Sequence, residues 1–319
     1  MEDTQILTNN HLSVHPVHIH ASEKRSHVLE SSFKRVHNRR KRIQQALFML
    51  FRGAAVINGI GLFVVVFFIA WNGWQAITWE FLTQAPTDSM TKGGILPCIV
   101  GTLCLGIGAI VVALPIGVAS AIYLNEYARP GRVLRLIRLG INNLAGVPSV
   151  VFGLFGLAFF VIWMGMGESI LAGVLTLGAL TLPVIIGSTE EALKAVPNTY
   201  REASLALGAT KWQTIRNVVL PAALPGILTG AILGLSRAAG ETAPIMFTAA
   251  VFFTPTLPTS PFSKIMALPY HIYVLATAGT NIEATRPLQY GTSLVLIVLV
   301  LGMNLAAIIW RARLRKRNH

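Results

Sequence analysis

Arg237 and Glu241 stand four residues apart in the stretch "LGLSRAAGETAPIMF", Leu233 to Phe247, inside an apolar run from Pro225 through Phe253. On a helix this spacing places both side chains on one face, one turn apart and within reach of an ion pair. Ser236 and Thr242 flank them with hydroxyls. Two kinds of chemistry fit this set. The planar guanidinium matches an oxyanion, so Arg237 can meet an anion on an internal water-filled path. Glu241 would then hold the guanidinium when the path is empty and keep affinity low enough for release. Alternatively the pair is structural and orients one span against its neighbours. An arginine facing lipid is disfavoured in either case, because an ion at the centre of a membrane helix costs about 2.5–3.5 kcal/mol on insertion scales. Arg237 lies twelve residues beyond Pro225, roughly 18 Å along a helix, which is near the middle of a ~30 Å hydrocarbon core.

Other chemistry-bearing residues are sparser. His11, His15, His18 and His20 lie in "HLSVHPVHIH"; imidazole is a common metal ligand, but no cysteine or carboxylate cluster accompanies them, and a disordered tail with no metal is expected. Cys98 and Cys104 are six apart in one apolar run, on different faces of a helix, and read as small buried hydrophobes rather than a disulfide. No G-x-x-x-x-G-K-[ST] phosphate loop occurs, so the chain carries no nucleotide site of that type.

The elements that must position these residues are membrane spans. Of 319 residues, 53% are hydrophobic and only 12% charged, and mean hydropathy is +0.61; soluble domains carry about 25% charged residues. Six apolar runs are long enough to cross a bilayer: Gly53–Trp71, Leu96–Leu124, Pro148–Met166, Ser169–Gly187, Gly226–Phe253 and Gly291–Trp310. The net charge of +13 is not spread as a nucleic-acid patch. Of 26 Lys/Arg, 21 lie before Ala46, in Ala128–Arg138, in Ser188–Pro221 or after Trp310. Basic loops alternate with nearly base-free ones, the positive-inside pattern, which predicts both termini in the cytoplasm. A secretory signal peptide is not expected, because the first apolar run follows a polar, basic tail of some 45 residues.

Between the spans, Val133–Leu144 alternates apolar residues with arginines and predicts an interfacial amphipathic helix. Gly153 and Gly156 would permit close helix approach. The apolar "LPYHIYVLA" in the proline-rich loop Thr254–Pro287 is too short to cross, and is read as re-entrant or interfacial. The most regular connector is "EEALKAVPNTYREASLALGATKWQTIRNVVLPAALPGI". The good helix formers of "YREASLAL" stop at Gly208, and "TKWQTIRNVVLP" begins a second helical pattern that ends at Pro221. Two short helices joined at a glycine would form a protrusion on the inner face; the residues alone are equally compatible with an ordinary interfacial hairpin.

Glu202-Ala203, Gly208, Val218 and Leu220-Pro221 resemble the EAA loop of binding-protein-dependent ABC importer permeases, with Ser204 in place of the second alanine and Val218 in place of the usual isoleucine. "AGVPSVVFGLFGL" and "LSRAAGETAPIMFTA" resemble segments of the phosphate importer's permease pair, and "SRAAGETAP" its PstA-type subunit. The resemblance covers roughly Ile95 to Trp310. It implies an all-α fold with six transmembrane helices, the type I ABC importer permease (MetI-like) fold. It implies coupling to a separate ATPase through Glu202, Ala203, Gly208, Leu220 and Pro221, and it favours a substrate pathway at the charged Arg237 and Glu241, to which Ser236 and Thr242 would add hydroxyl contacts. The chain itself would be no enzyme and would hold no cofactor. Its implied partners are a PstC-type sister permease, two PstB-type ATP-binding subunits, an external PstS-type phosphate-binding protein and membrane lipid.

The expected organisation is a basic, disordered tail at 1–45, a first span and external loop at 46–94, and a core at 95–311 carrying the coupling loop 189–224. A basic tail follows at 312–319. Within the implied class, a PstC-type subunit or a permease for another oxyanion remains open. Outside it stand an ion-coupled secondary transporter, disfavoured because inverted repeats are not evident, and a sensor or assembly subunit working through the basic tail.

Overall fold

The computed structural model describes residues 17–90, 92–278 and 282–317. It divides into two units, Met1–Val66 and Phe67–His319. The first holds most of helix α1 (Val17–Gly73), which ends in the second unit. No proline or glycine interrupts the sequence between Val17 and Arg52, and Ala, Glu, Lys, Arg, Leu and Gln there are strong helix formers. The segment expected to be a disordered tail is therefore helical from Val17 on; residues 1–16, with His11 and His15, lie outside the described residues, as do the side chains of His18 and His20. At the other end α12 continues to Arg317, through most of the expected 312–319 tail.

In the second unit, α2 (Trp79–Thr83) and a two-stranded antiparallel ribbon, β1 (Pro86–Thr87) with β2 (Lys92–Gly93), precede α3 (Leu96–Ile122). Then come α4 (Arg132–Ala145), α5 (Ser149–Gly156) and α6 (Ile170–Lys194). The coupling loop contributes α7 (Asn198–Ala206) and α8 (Lys211–Thr214), followed by α9 (Leu220–Gly240) and α10 (Ala243–Thr248). Two helices close the chain, α11 (Leu268–Thr277) and α12 (Ile282–Arg317). Widened π-helical turns extend three of these elements: Tyr123–Tyr127 after α3, Leu157–Trp163 after α5, and Ile215–Val219 joining α8 to α9.

Five described helices are long and apolar enough to cross a membrane, at Gln44–Ala76, Leu96–Tyr127, Ile170–Lys194, Lys211–Gly240 and Thr285–Arg313. A sixth span is counted if Arg132–Ala145 and Ser149–Trp163, bent by 100°, form one broken unit. The third predicted run, Pro148–Met166, corresponds to the second arm of that pair, and the amphipathic helix predicted at Val133–Leu144 is its first arm, α4. Pro148 stands at the bend, just before the first turn of α5, where a missing N–H costs no helix bond.

The core is α3, α6 and α9 packed together, joined at one end by α10 and α11. Leu105, Ala109, Leu177, Ile245 and Ile265 fill that end, and Ala121, Leu124, Leu193, Val219 and Ile227 the end nearest the coupling loop. Gly153 and Gly156 bring α5 against α10 and α6: a methyl at Gly153 would run into Ala243, Pro244 and Phe247, and one at Gly156 into Thr176 and Thr248. Cys98 and Cys104 are free thiols.

The fifth predicted run, Gly226–Phe253, is not one helix. α9 stops at Gly240, and Glu241 is extended at φ −75°, ψ 133°. Pro244 explains the stop, since its ring would collide with the carbonyl four residues back, Gly240, and it has no N–H to offer there. Beyond α10 the chain pairs Val251 N–H with the Ile265 carbonyl (2.9 Å) and reaches α11, the "LPYHIYVLA" piece, whose Leu268 N–H donates to Thr102 Oγ1 (2.9 Å).

α11 is ten residues long and lies outside the spans. It buries His271, whose Nδ1 has no partner among the described residues. Burial pushes the imidazole from its ordinary 6.5 down to about 4. The folded protein therefore keeps His271 neutral where the unfolded chain takes up a proton. Stability is unaffected above about pH 6.5 and falls as the pH drops from there towards 4. The melting temperature of the purified protein should decline over that window, and His271→Gln should flatten part of the decline.

Candidate functional site

The first candidate locus is the junction of α9 and α10. Arg237 Nε is 3.4 Å from Glu241 Oε1, so the predicted i,i+4 pair forms although the helix ends between its members. Arg237 sits in the last turn of α9, where a cation is favoured by the negative end of the helix dipole. Glu241 and Thr242 occupy the break itself, with Thr242 preceding the first turn of α10. Ser236 turns the other way: its hydroxyl is 3.0 Å from the Ile232 carbonyl and 2.7 Å from Asn304 Oδ1 on α12. The structure thus brings Arg237, Glu241 and Thr242 to one break and assigns Ser236 to an interhelical contact. Asn304 was not singled out from the sequence; its signal is a lone amide in an apolar span.

Exposure separates the faces of α9. Ile227, Gly230, Ala231, Gly234, Ala238 and Ala239 are buried, whereas Thr229, Leu233 and Arg237, at successive intervals of four, lie towards the surface of the chain. Arg237 is 33% exposed and Glu241 18%. Inside a span the desolvation of both ions rivals the attraction between them, so a single 3.4 Å contact lowers the cost of placing an arginine there without removing it. Pairing with Glu241 therefore does not account for the arginine's position. This face requires water, an anion or another chain against it.

The second locus is the coupling loop. α7 is capped at Leu207, and Gly208, at φ +82°, makes the reversal that a side-chain-bearing residue rarely adopts. Thr210 caps α8 through the Gln213 N–H, and the Gln213 side chain reaches back to the Thr210 N–H (2.8 Å), a reciprocal capping box. Ser204, the departure from the alanine of the loop pattern, shares a 2.9 Å hydrogen bond with Thr214, tying the two helices together. Glu202, Ala203, Gly208 and Pro221 are exposed, and Leu220 is half-buried. Leu207 is 90% exposed, an apolar side chain presented on the outside of the loop.

Arg201 anchors the loop to the end of α3. Its Nη2 is 2.8 Å from Glu126 Oε1 and 2.8 Å from the Leu193 carbonyl; its Nη1 is 2.8 Å from the Val196 carbonyl and 3.3 Å from Asn198 Oδ1. The two side chains are 16% and 8% exposed. Lys211 adds a bond to the Glu126 carbonyl and stands 4.9 Å from the Tyr127 ring centroid. Beside this joint, Arg138 of α4 pairs with Glu190 (3.4 Å), and Lys194 takes the other Glu190 oxygen (3.2 Å). No group of three or more His, Cys, Asp or Glu among the described residues is placed to hold a metal.

Residues 113–319 match the family described as binding-protein-dependent transport system inner membrane component. Among similar proteins, the phosphate transport system permease protein PstA 1 of Mycobacterium tuberculosis (strain ATCC 25618 / H37Rv) is 37% identical over 258 residues, covering 79% of this chain and 82% of that one. The probable ABC transporter permease protein YqgI of Bacillus subtilis (strain 168) is 34% identical over 265 residues, covering 80% and 88%. Among solved structures, the MetNI methionine ABC transporter in an inward-facing conformation superposes with a TM-score of 0.53 at 23% identity, over 69% of this chain and 94% of that one. A bacterial alginate ABC transporter in complex with alginate pentasaccharide-bound periplasmic protein gives 0.59 at 14% identity, over 85% and 94%. The fold is that of the ABC importer permeases, as the loop pattern implied, and with its apolar helices it makes a multi-pass membrane protein. The chain belongs to the binding-protein-dependent transport system inner membrane component family.

Proposed function

We propose that this chain is the PstA-type permease subunit of an ATP-driven importer of inorganic phosphate. It supplies half of the translocation path, and a PstC-type permease supplies the other half. Two PstB-type subunits hydrolyse ATP, and a PstS-type binding protein delivers phosphate from outside. The observation that carries the substrate reading is Arg237: a cation at a helix break, on the outward face of α9, paired too weakly to account for its own position. Relatives named as phosphate permeases support the same substrate. Thr242 and Glu241 stand with Arg237 at the pathway, while Ser236 ties α9 to Asn304 of α12.

The loop 189–224 is the coupling element. Glu202, Ala203 and Leu207 present its outer surface to the ATPase, and Gly208, Leu220 and Pro221 set the geometry with which the loop joins α9. Arg201 and Glu126 carry its movement to α3. Both termini lie in the cytoplasm, on the side of this loop.

The test is ATP hydrolysis by the purified complex in lipid. Phosphate-loaded binding protein should stimulate turnover several-fold, and the phosphate-free form should not. Equal stimulation by another oxyanion's loaded binding protein would move the substrate assignment to that anion; hydrolysis indifferent to any binding protein would defeat the importer reading for this complex.

A further inference from the structure

α4 carries three arginines and no acidic residue over Arg132–Ala145. Arg138 is committed inward, to Glu190 and to the Leu124 carbonyl (3.3 Å). Leu134 and Ile141 share that inward side and pack on the core beneath. Arg132 and Arg135 are exposed, and neither side chain has a partner among the described residues. Together with Leu136, Leu139 and Asn142 the three arginines border a shallow hollow of about 420 Å³ on the surface of the helix. Across Leu136 from it runs an apolar crest: Val133, Ile137 and Leu144 are exposed, as is Leu136. At about 100° per residue, Val133, Ile137 and Leu144 fall within roughly 40° of one another, on the side away from Arg135. The helix is turned by 100° from the apolar segment Ser149–Trp163. When that segment crosses the bilayer, α4 lies close to the membrane plane.

A helix with an apolar crest on one side and two unpaired arginines on the other is complementary to a layer of amphiphiles that carry negative headgroups above acyl chains. We propose that α4 is a binding site for anionic phospholipid. Arg132 and Arg135 engage the headgroup phosphate across the hollow, Leu136 and Leu139 lie against the glycerol and upper acyl carbons, and the Val133–Ile137–Leu144 crest enters the acyl layer. A free oxyanion would satisfy the arginines but would leave the crest uncovered, so the lipid is the occupant that fits both halves. Arg138 and Glu190 fix α4 to α6, so the bound lipid rests beside the Arg201–Glu126 joint that anchors the loop.

The experiment uses the full chain in its purified complex, in nanodiscs of phosphatidylcholine alone or with one third phosphatidylglycerol. Lipid retained after extraction is counted by native mass spectrometry. Wild type should retain phosphatidylglycerol over phosphatidylcholine, and Arg132→Gln/Arg135→Gln should weaken that preference roughly tenfold. Arg135→Lys, which keeps the charge, should retain most of it. Equal retention of the two lipids by wild type, or an unchanged preference in the double variant, overturns the proposal. Displacement of phosphatidylglycerol by millimolar inorganic phosphate would reassign the hollow to free anions and defeat it as well. If the double variant loses a protein subunit equally in both lipids, α4 is a protein interface instead. None of these readouts requires phosphate uptake, so their failure is separable from failure of the importer reading.

Discussion

Replacing Arg201 by alanine should abolish phosphate uptake and detach ATP hydrolysis from its control by the binding protein. Arg201 is the hub of the joint between the coupling loop and α3, with bonds to Glu126, to the carbonyls of Leu193 and Val196, and to Asn198. Removing it leaves Glu126, 8% exposed, without its cation. Breaking a buried pair from one side costs about 3–5 kcal/mol, and the residual exposure of Arg201 places the expected loss near the lower end, about 3 kcal/mol. That is enough to let α7 separate from the end of α3 while the spans stay folded. Arg201→Lys should recover little, because one ammonium cannot reach the carboxylate and both carbonyls as a guanidinium does. Glu126→Gln should be milder, since the amide oxygen still accepts a bond. The measurement is transport per ATP hydrolysed in proteoliposomes, beside a check that the ATPase subunits still co-purify. Arg201→Ala with normal uptake would remove the joint from the coupling route.

Replacing Arg237 by glutamine should lower uptake by roughly ten- to a hundredfold, as expected when a charged hydrogen-bond donor to an anion is lost, while the complex still assembles. Arg237 is a third exposed and packs on the outward face of α9, so its removal leaves no cavity in the α3–α6–α9 core. Glu241 then lacks its cation and adds negative charge to the path, which repels phosphate further. Glu241→Gln in the same background should therefore recover part of the uptake. Uptake of radiolabelled phosphate in cells lacking their own permease reads the effect, and co-purification of the sister permease reads assembly. Failure to assemble with Arg237→Gln would identify the pair as an orienting contact between spans instead of a pathway group.

The sequence made the spans and the loop readable because both rest on local signals. Apolar length located each described helix that is long and apolar enough to cross. The punctuation of the loop placed α7 and Gly208, but Pro221 does not end the second helix as expected: from Lys211 it runs through the π-helical turn to Gly240, with Pro221 tolerated in the first turn of α9. The amphipathic period of α4 was legible for the same reason. The end of α9 carried a local signal too, Pro244 four residues beyond Gly240, but the uninterrupted apolar run around it masked the break. The helix formers of 17–45 were outweighed by the segment's charge. Glu126 and Arg201 are 75 residues apart, and nothing in either neighbourhood marks them as partners. Ser236 and Asn304 are related in the same way, across 68 residues. Such pairs arise from tertiary packing and have no sequence period to betray them.

The π-helical turn Ile215–Val219 joins the coupling loop to α9. A turn of this kind holds one residue more than an α-helical turn, and each residue rotates a helix by about 100°. The turn thus acts as a fixed angular offset between the loop and the stripe that carries Arg237. Were the segment to relax to ordinary helix with all its residues kept, Thr229, Leu233 and Arg237 would swing about a quarter-turn around the axis. The chain would keep its apolar length, its loop motif and its arginine, yet the arginine would point into the α3–α6 packing. In this protein the phase between the loop and the Arg237 stripe is set by the width of one turn, and only the removal of one residue would restore it once that turn had tightened.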